Sequence, residues 1–298
     1  NFELGADGTV KAKTVAKIGD VEYATLQAAI EAVQEGETIV LIDNVVLAER
    51  VAIPADKTLT IDLNGKSISM EESIIATAYA INNLGNLTIT DGVGGGSINA
   101  RGIYSGYGDG AANVATAKIT VLSGTINAKG TNGGAAIFNY GVADIQGGTF
   151  TSVASYAIAL QTGSTMTIGE NAIITGGINS WQSTLTITGG TISNDKSGKH
   201  VVYAGESAVT INGGTFHNNN SGNATIMASG STAAVEITGG TFTLNIVNAS
   251  SSYLIDATSS ATYTISGGSF TGGIRAQGGT KYEIAGGTFT NEYGNYNV

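Results

Sequence analysis

Few residues in this chain have side chains suited to chemistry. There are two histidines, His200 and His217, no cysteine, one tryptophan, Trp181, and twenty-three carboxylates. Without cysteine there is no thiolate nucleophile, no thiolate metal site and no disulfide. Neither histidine has a second plausible metal ligand close to it in sequence, so a zinc centre or a nucleophile–histidine–carboxylate set has nothing to build on. Both histidines read as solvent-facing strand or loop positions. Among the carboxylates, Asp144, Glu236 and Glu283 each stand immediately before an isoleucine of one recurring phrase. If those phrases stack as neighbouring strands about 4.8 Å apart, Asp144 and Glu236 are roughly 19 Å apart and Glu236 and Glu283 about 10 Å apart. The second distance lies just beyond the roughly 6.5–9.5 Å between the acid and base of an inverting glycosidase, and all three read as a solvated face. Asp256 and Arg275 occupy equivalent positions in adjacent copies and read as a surface ion pair. Neither of the glycine-rich stretches GVGGG (92–96) and GYGDGAAN (106–113) both follows a strand and opens a helix, as a phosphate cradle requires, and they read as corner insertions. No catalytic residue, metal ligand or cofactor is expected.

Recognition by aromatic rings is the chemistry that remains. Phe138 and Tyr203 each follow an inward apolar residue by one position, and Tyr140 and Trp181 follow one by three. Tyr140 and Trp181 are two copies apart, roughly 10 Å. Exposed rings at the spacing of sugar rings can stack on a glycan, and Asn179, Ser180, Gln161 and Gln182 can bond its hydroxyls. The expected ligand site is therefore Phe138, Tyr140, Trp181, Tyr203, Asn179 and Gln182, for a polysaccharide or host glycan. The competing reading packs these rings beneath a corner loop.

The elements that must position these residues come from a repeat. The phrase LTITGGTIS (185–193) returns as VTINGGTFH from Val209, VEITGGTFT from Val235, YTISGGSFT from Tyr263 and YEIAGGTFT from Tyr282. From Gly95 to Gly286 the glycine pair, or its stand-in, recurs every 24 or so residues, a period in the range of solenoids. Before the glycines an isoleucine (Ile145, Ile187, Ile211, Ile237, Ile265, Ile284) alternates with polar residues. Five residues on comes a second apolar residue (Phe150, Ile192, Phe216, Phe242, Phe270, Phe289). A third apolar position, among them Ile137, Ile158, Ile178, Val202 and Ile226, precedes the phrase. Three alternating strands separated by glycine corners make one coil of a parallel β-helix. Asn83 and Asn139, two residues after the third anchor, are expected to stack inside a corner.

Ten to eleven such coils give an all-β rod on the order of 50 Å long. ATLQAAIEAVQEG (24–36) carries Leu26, Ile30 and Val33 on one face and Gly36 as a stop, and predicts a short helix plugging the first coil. TIVLI (38–42) then starts the sheet, so residues 1–37 form a lead and cap and residues 38–298 the coils of one domain. No comparable plug follows GGTFTNEYGNYNV at the other end, where the tail folds back or a longer protein continues. Threonines of TFT and its relatives form a hydroxyl ladder of the kind ice-binding solenoids use. His217, Asn127 and the AII at 172–174 interrupt it, and threonine also suits any exposed strand.

A net charge of −10 with thirteen scattered Lys and Arg is the wrong sign for nucleic acid or an anionic membrane surface. No apolar run approaches the ~18 residues of a spanning helix. Abundant Ser, Thr, Asn and Gly with 12% charged residues favours a secreted or surface-exposed protein. The run AKIGDVEYATLQAAIEAVQEGETIVLIDNVVLAERVAIPADKTLTIDLNGKSIS (16–69), followed by GGTF-type coils, resembles gut-bacterial cell-surface proteins of the pectin-lyase-like superfamily. That resemblance implies a right-handed parallel β-helix, an extracellular place on the bacterial surface and membership of a longer surface protein. The superfamily includes lyases, hydrolases and adhesins. The calcium-binding carboxylates with an arginine base of pectate lyases, and the NTD, DD, HG and R-x-K elements of polygalacturonases, are missing here. The leading expectation is a non-catalytic adhesin or glycan-binding module. A lyase or hydrolase with an unfamiliar site and a structural spacer remain as alternatives.

Overall fold

Strict alternation of apolar and polar residues builds three walls around one apolar interior. The computed structural model describes residues 2–4, 10–108, 113–131, 133–220, 222–245, 253–275 and 279–290. In a representative coil Leu185 and Ile187 turn inward before the glycines, Ile192 after them, and Val202 and Ala204 in the next strand, all fully buried. The strand before the glycines belongs to the first wall, the strand after them to the second, and the remaining strand to the third. Each pairs in parallel with its counterpart one coil away, as Thr184–Ile187 does with Ala208–Ile211, Thr191–Asn194 with Thr215–Asn218, and Ile178–Trp181 with Val202–Gly205. The third wall is a nine-stranded sheet running from Val51–Ile53 to Ile255–Thr258. The first and second walls merge into one twenty-two-stranded sheet, because Val142–Ser152 and Thr165–Thr175 continue unbroken through the corner. There a register shift between Ile145 and Gly147 bends the strand, so the glycines mark a bulge rather than a break. The architecture is an all-β parallel β-helix.

The two glycines of the phrase answer to different constraints. A Cβ on Gly239 would stand 2.3 Å from the Asn212 carbonyl oxygen of the neighbouring coil, a separation no side chain tolerates. Gly240 holds φ at +104°, in the left-handed region that glycine enters without steric cost. One glycine lets coils approach, and the other turns the chain. Beyond the corner Phe216, Phe242, Phe270 and Phe289 stack inside the second wall, with ring centroids 4.6, 4.8 and 4.7 Å apart. That is the spacing of hydrogen-bonded strands themselves, so backbone register and ring stacking reinforce each other. Where the third wall turns into the first, Asn139 Nδ2 donates to the carbonyls of Gly141 (2.9 Å) and Thr165 (3.1 Å), and Asn83 Nδ2 to that of Lys118 (2.9 Å). These buried amides bond corner carbonyls that the ladders leave over.

At the N-terminal end the helix spans Leu26–Ala32, shorter than the expected 24–36. Thr25 caps it, its Oγ1 accepting the Ala28 amide at 3.1 Å. Val33 leaves helical geometry (ψ 135°) to bury its side chain in the core, and Gly36 falls in the following turn. Lys57 Nζ donates to the Glu31 and Val33 carbonyls at 2.9 and 2.8 Å, placing positive charge at the helix C-terminus. The cap contains more than the helix. Ala16–Ile18 and Val21–Tyr23 form a hairpin, and its first strand runs antiparallel against Thr38–Leu41. This covers the open edge of the first wall, which would otherwise present unpaired amides. The final strands described are Lys281–Ile284 and Thr288–Thr290; the tail from 291 onward, where sequence left the end of the rod open, lies outside the described residues. Among the described residues no helix is long and apolar enough to cross a membrane.

Candidate ligand-binding face

The third wall is where the outward side chains stop being interchangeable. Its register sets Asn82, Tyr104, Phe138, Ala159, Asn179, Tyr203, Met227 and Asp256 in one outward column. Two residues further along each strand, the same register puts Tyr140, Gln161 and Trp181 on successive rungs, followed by Gly205 and Ser229. Tyr79, Tyr156, His200 and Tyr253 enter the wall from the preceding corner, each two residues ahead of its strand.

The rings gather in two groups. Toward the N-terminal end Tyr104 stacks on Tyr79 (centroids 3.6 Å) and on Tyr107 (4.5 Å). Tyr140 lies 5.3 Å from Tyr107 and 5.6 Å from Phe138, and Phe138 meets Tyr104 edge-on at 5.6 Å. The Arg101 guanidinium sits 5.3 Å above the Tyr79 ring. Beside this group is a cavity of about 440 Å³, lined by the three tyrosines 79, 104 and 107 together with Glu49, Arg50, Ile74 and Arg101. Burial raises the Tyr140 hydroxyl above its ordinary pKa, so it is a neutral donor at physiological pH.

The second group centres on Trp181, 39% exposed. Its ring lies over Gly205: a Cβ there would come within 2.4 Å of the indole Cε3 and 2.8 Å of the Tyr203 ring. Glycine at 205 is the condition for both rings to sit as they do. His200 stacks on Tyr203 with centroids 5.8 Å apart, its amide donates to the Tyr156 hydroxyl at 3.2 Å, and its Nδ1 accepts the Ala224 amide at 3.0 Å. Burial lowers the His200 pKa, in keeping with an unprotonated Nδ1 that accepts. The Tyr156 hydroxyl is pushed up to about 12, chiefly by burial. Lys199 Nζ stands 5.2 Å from the Tyr156 ring.

A polar ladder runs along the corner next to Trp181. Thr162 Oγ1 donates to Gln182 Oε1 at 2.9 Å, and Gln182 Nε2 donates to Glu206 Oε2 at 2.7 Å. Gln182 and Glu206 hold φ at +47° and +50°, where residues other than glycine are uncommon. Asn179 Oδ1, in the outward column, accepts no hydrogen bond from the described protein groups.

The six residues expected to bind ligand therefore share one wall but belong to two groups: Phe138 and Tyr140 to the first, Trp181, Tyr203, Asn179 and Gln182 to the second. The coil between them carries Ala159 and Gln161 outward, leaving a step between the rings. Tyr79, Tyr104, Tyr107, Tyr156 and His200 complete the groups and were not expected. Tyr104 follows Ile103 as Phe138 follows Ile137, so anchoring a coil on Ile103 would have found it; the insertion at 106–113 hides that coil. His200 corrects the solvent-facing expectation, since its ring is half-buried among tyrosines. Asp256 corrects the surface ion pair. It is 4% exposed and receives Arg275 Nε at 2.8 Å with a second contact from Arg275 Nη2, while the guanidinium lies 4.2 Å from the Tyr253 ring. Coil stacking buries the carboxylate because the next coil's Arg275 closes over it, its guanidinium held against Tyr253 of Asp256's own coil. Glu236 and Glu283 stand two rungs apart on the first wall, separated by Thr264.

No protein-family model, curated protein or solved structure matches the chain.

Proposed function

We propose that this protein is a non-catalytic glycan-binding β-helix, displayed on a bacterial cell surface as part of a longer protein, whose third wall holds polysaccharide. The observation that carries the reading is the confinement of aromatic side chains. Every described Phe, Tyr and Trp ring that lies outside the main core cluster along the coils, from Tyr79 to Tyr253, stands on the third wall or its flanking corners, while the imidazole of His217 stands on the second wall. Rings left outside a core that has room for phenylalanine on its inner side serve the sheet poorly and a flat apolar ligand well. Beside them stand amides and hydroxyls able to bond a sugar's hydroxyl groups. The acidic net charge favours an uncharged ligand over nucleic acid. The resemblance of residues 16–69 to pectin-lyase-like surface proteins supports the placement outside the cell.

Native affinity electrophoresis against plant, mucin and bacterial polysaccharides, with each mixture assayed for new reducing or unsaturated ends, tests this reading. Retardation by a glycan without new ends, lost in Trp181→Ala, is the expected result. New ends would instead reveal an enzyme, and retardation by nothing would favour a spacer.

A further inference from the structure

Resting on the glycan-binding reading, we propose that the cavity beside Tyr79 takes one acidic sugar residue, held by its carboxylate, of an otherwise neutral glycan. Arginine is scarce in this chain: Arg50, Arg101 and Arg275 are its only three. Arg275 is engaged by Asp256, and the other two both line this one cavity. They reach it from the same corner of different coils. Arg50 stands one residue ahead of Val51–Ile53 and Arg101 two ahead of Ile103–Ser105, the first and third rungs of the third wall. Tyr79 enters between them, two residues ahead of Ile81–Asn83. In later coils this corner carries Ala135, Tyr156, Gly176, His200 and Ala224, so the two arginines belong to this place and not to the repeat.

The rest of the lining suits the same ligand. Arg101 is held in place, its Nη1 donating to the Thr77 carbonyl at 3.5 Å and its guanidinium 5.3 Å from the centre of the Tyr79 ring. A guanidinium has five N–H donors, so each can serve a protein acceptor and a ligand oxygen together. Tyr104 is stacked on Tyr79 and on Tyr107, at 3.6 and 4.5 Å, which occupies both of its faces. What it leaves for the cavity is its edge, the positive part of the aromatic quadrupole. Tyr79 is 4% exposed, and its hydroxyl makes no hydrogen bond with the described protein groups. Burial raises its pKa, so it remains a neutral donor. Among the described lining residues Glu49 is the single carboxylate, set against two guanidinium groups, and its oxygens can accept from a sugar's hydroxyls. The volume, about 440 Å³, falls within the roughly 300–1,000 Å³ of small-molecule sites. The net charge of −10 acts over the whole surface and still opposes a polyanion, which limits the acid to a single residue on a neutral chain.

Titration calorimetry with matched pairs tests the proposal: sialyllactose against lactose, and a xylo-oligosaccharide bearing one glucuronate against the bare xylo-oligosaccharide, with hexagalacturonate as the polyanion. At least one singly acidic glycan is expected to bind about tenfold or more tighter than its neutral partner, by a margin that narrows as salt is raised. Arg50→Gln and Arg101→Gln each close most of that gap. Thr77→Trp, which fills the cavity without removing a charge, closes it as well; thermal unfolding shows that each variant is folded. Equal affinity for acidic and neutral partners overturns this assignment and leaves glycan binding in place. So does a preference that survives the arginine variants or the filled cavity, or tighter binding of hexagalacturonate than of either singly acidic glycan. The same holds if none of these sugars binds while a polysaccharide retards the protein. If no sugar binds and no polysaccharide retards it, both readings fall.

Discussion

The first and third walls are made from the same parallel ladder and differ in what they turn outward. On the first wall Thr38, Thr60, Thr88 and Thr120 stand on successive rungs, and after Asp144 the column resumes with Thr167, Thr186 and Thr210. The equivalent column of the third wall changes type at nearly every rung, from Tyr104 and Phe138 through Ala159 and Asn179 to Tyr203, Met227 and Asp256. Threonine recurs where a position need only suit an exposed strand. Residues that change from rung to rung, and include rings held by one another, answer to something besides the sheet. The proposed function accordingly treats the first wall as architecture and the third as the binding face.

The sharpest break of this comparison sets the core against the face. Phe242→Ala removes the middle of the ring stack in the second wall, and its loss is expected to cost about 3–5 kcal/mol by denaturant unfolding, with the glycan affinity of the protein that remains folded unchanged. A fall in affinity at constant fraction folded would mean that the second wall also takes part in binding. Gly205→Ala comes next. Its Cβ would meet the indole at 2.4 Å, so the ring must lift, at a cost of about 1–3 kcal/mol. Because Trp181 is the only tryptophan, its fluorescence reads the displacement directly. A shift to longer wavelength together with weakened glycan binding is expected, and an unchanged spectrum would show that the indole does not depend on this glycine. Thr186→Ala supplies the control from the first wall, with stability within about 0.5 kcal/mol of the parent and no change in binding.

The repeat made the fold legible, and the repeat also limited what could be read of the site. Ile187, Ile211 and Ile237 recur at one place in one phrase, so a reader who aligns the phrases has the first wall, the second wall and the corner between them. The hairpin at 16–23 occurs once and carries no period, and its antiparallel pairing with Thr38–Leu41 followed from no pattern. Trp181 and Tyr203 were found because each keeps a fixed offset from an anchor that aligns well. Tyr79 and Tyr156 precede their anchors by two residues, in corners of variable length, and only the folded chain brings them beside Tyr104 and His200. Gly205 looked like any other glycine until the indole was seen above it.

The smallest expected effect tests whether the third wall has its own electrostatics. His200 is lodged between Tyr203 and the Ala224 amide, and burial lowers its pKa relative to the unfolded chain, where histidine titrates near 6.5. A lowered pKa means that, as pH falls below about 6.5, the unfolded chain takes up the proton before the folded one does. The stability tied to neutral His200 is therefore fully present above the unfolded value and is lost as pH falls through it toward the folded value. The groups facing the ring include Lys199, which also opposes protonation, and Asp256, which favours it. Thermal unfolding between pH 7.5 and 5 should show this loss in the parent protein. His200→Gln, whose side-chain oxygen can still accept the Ala224 amide, should flatten that part of the profile while leaving the fold and the first wall untouched. An identical pH profile in the variant would place the imidazole in solvent, as the sequence alone predicted.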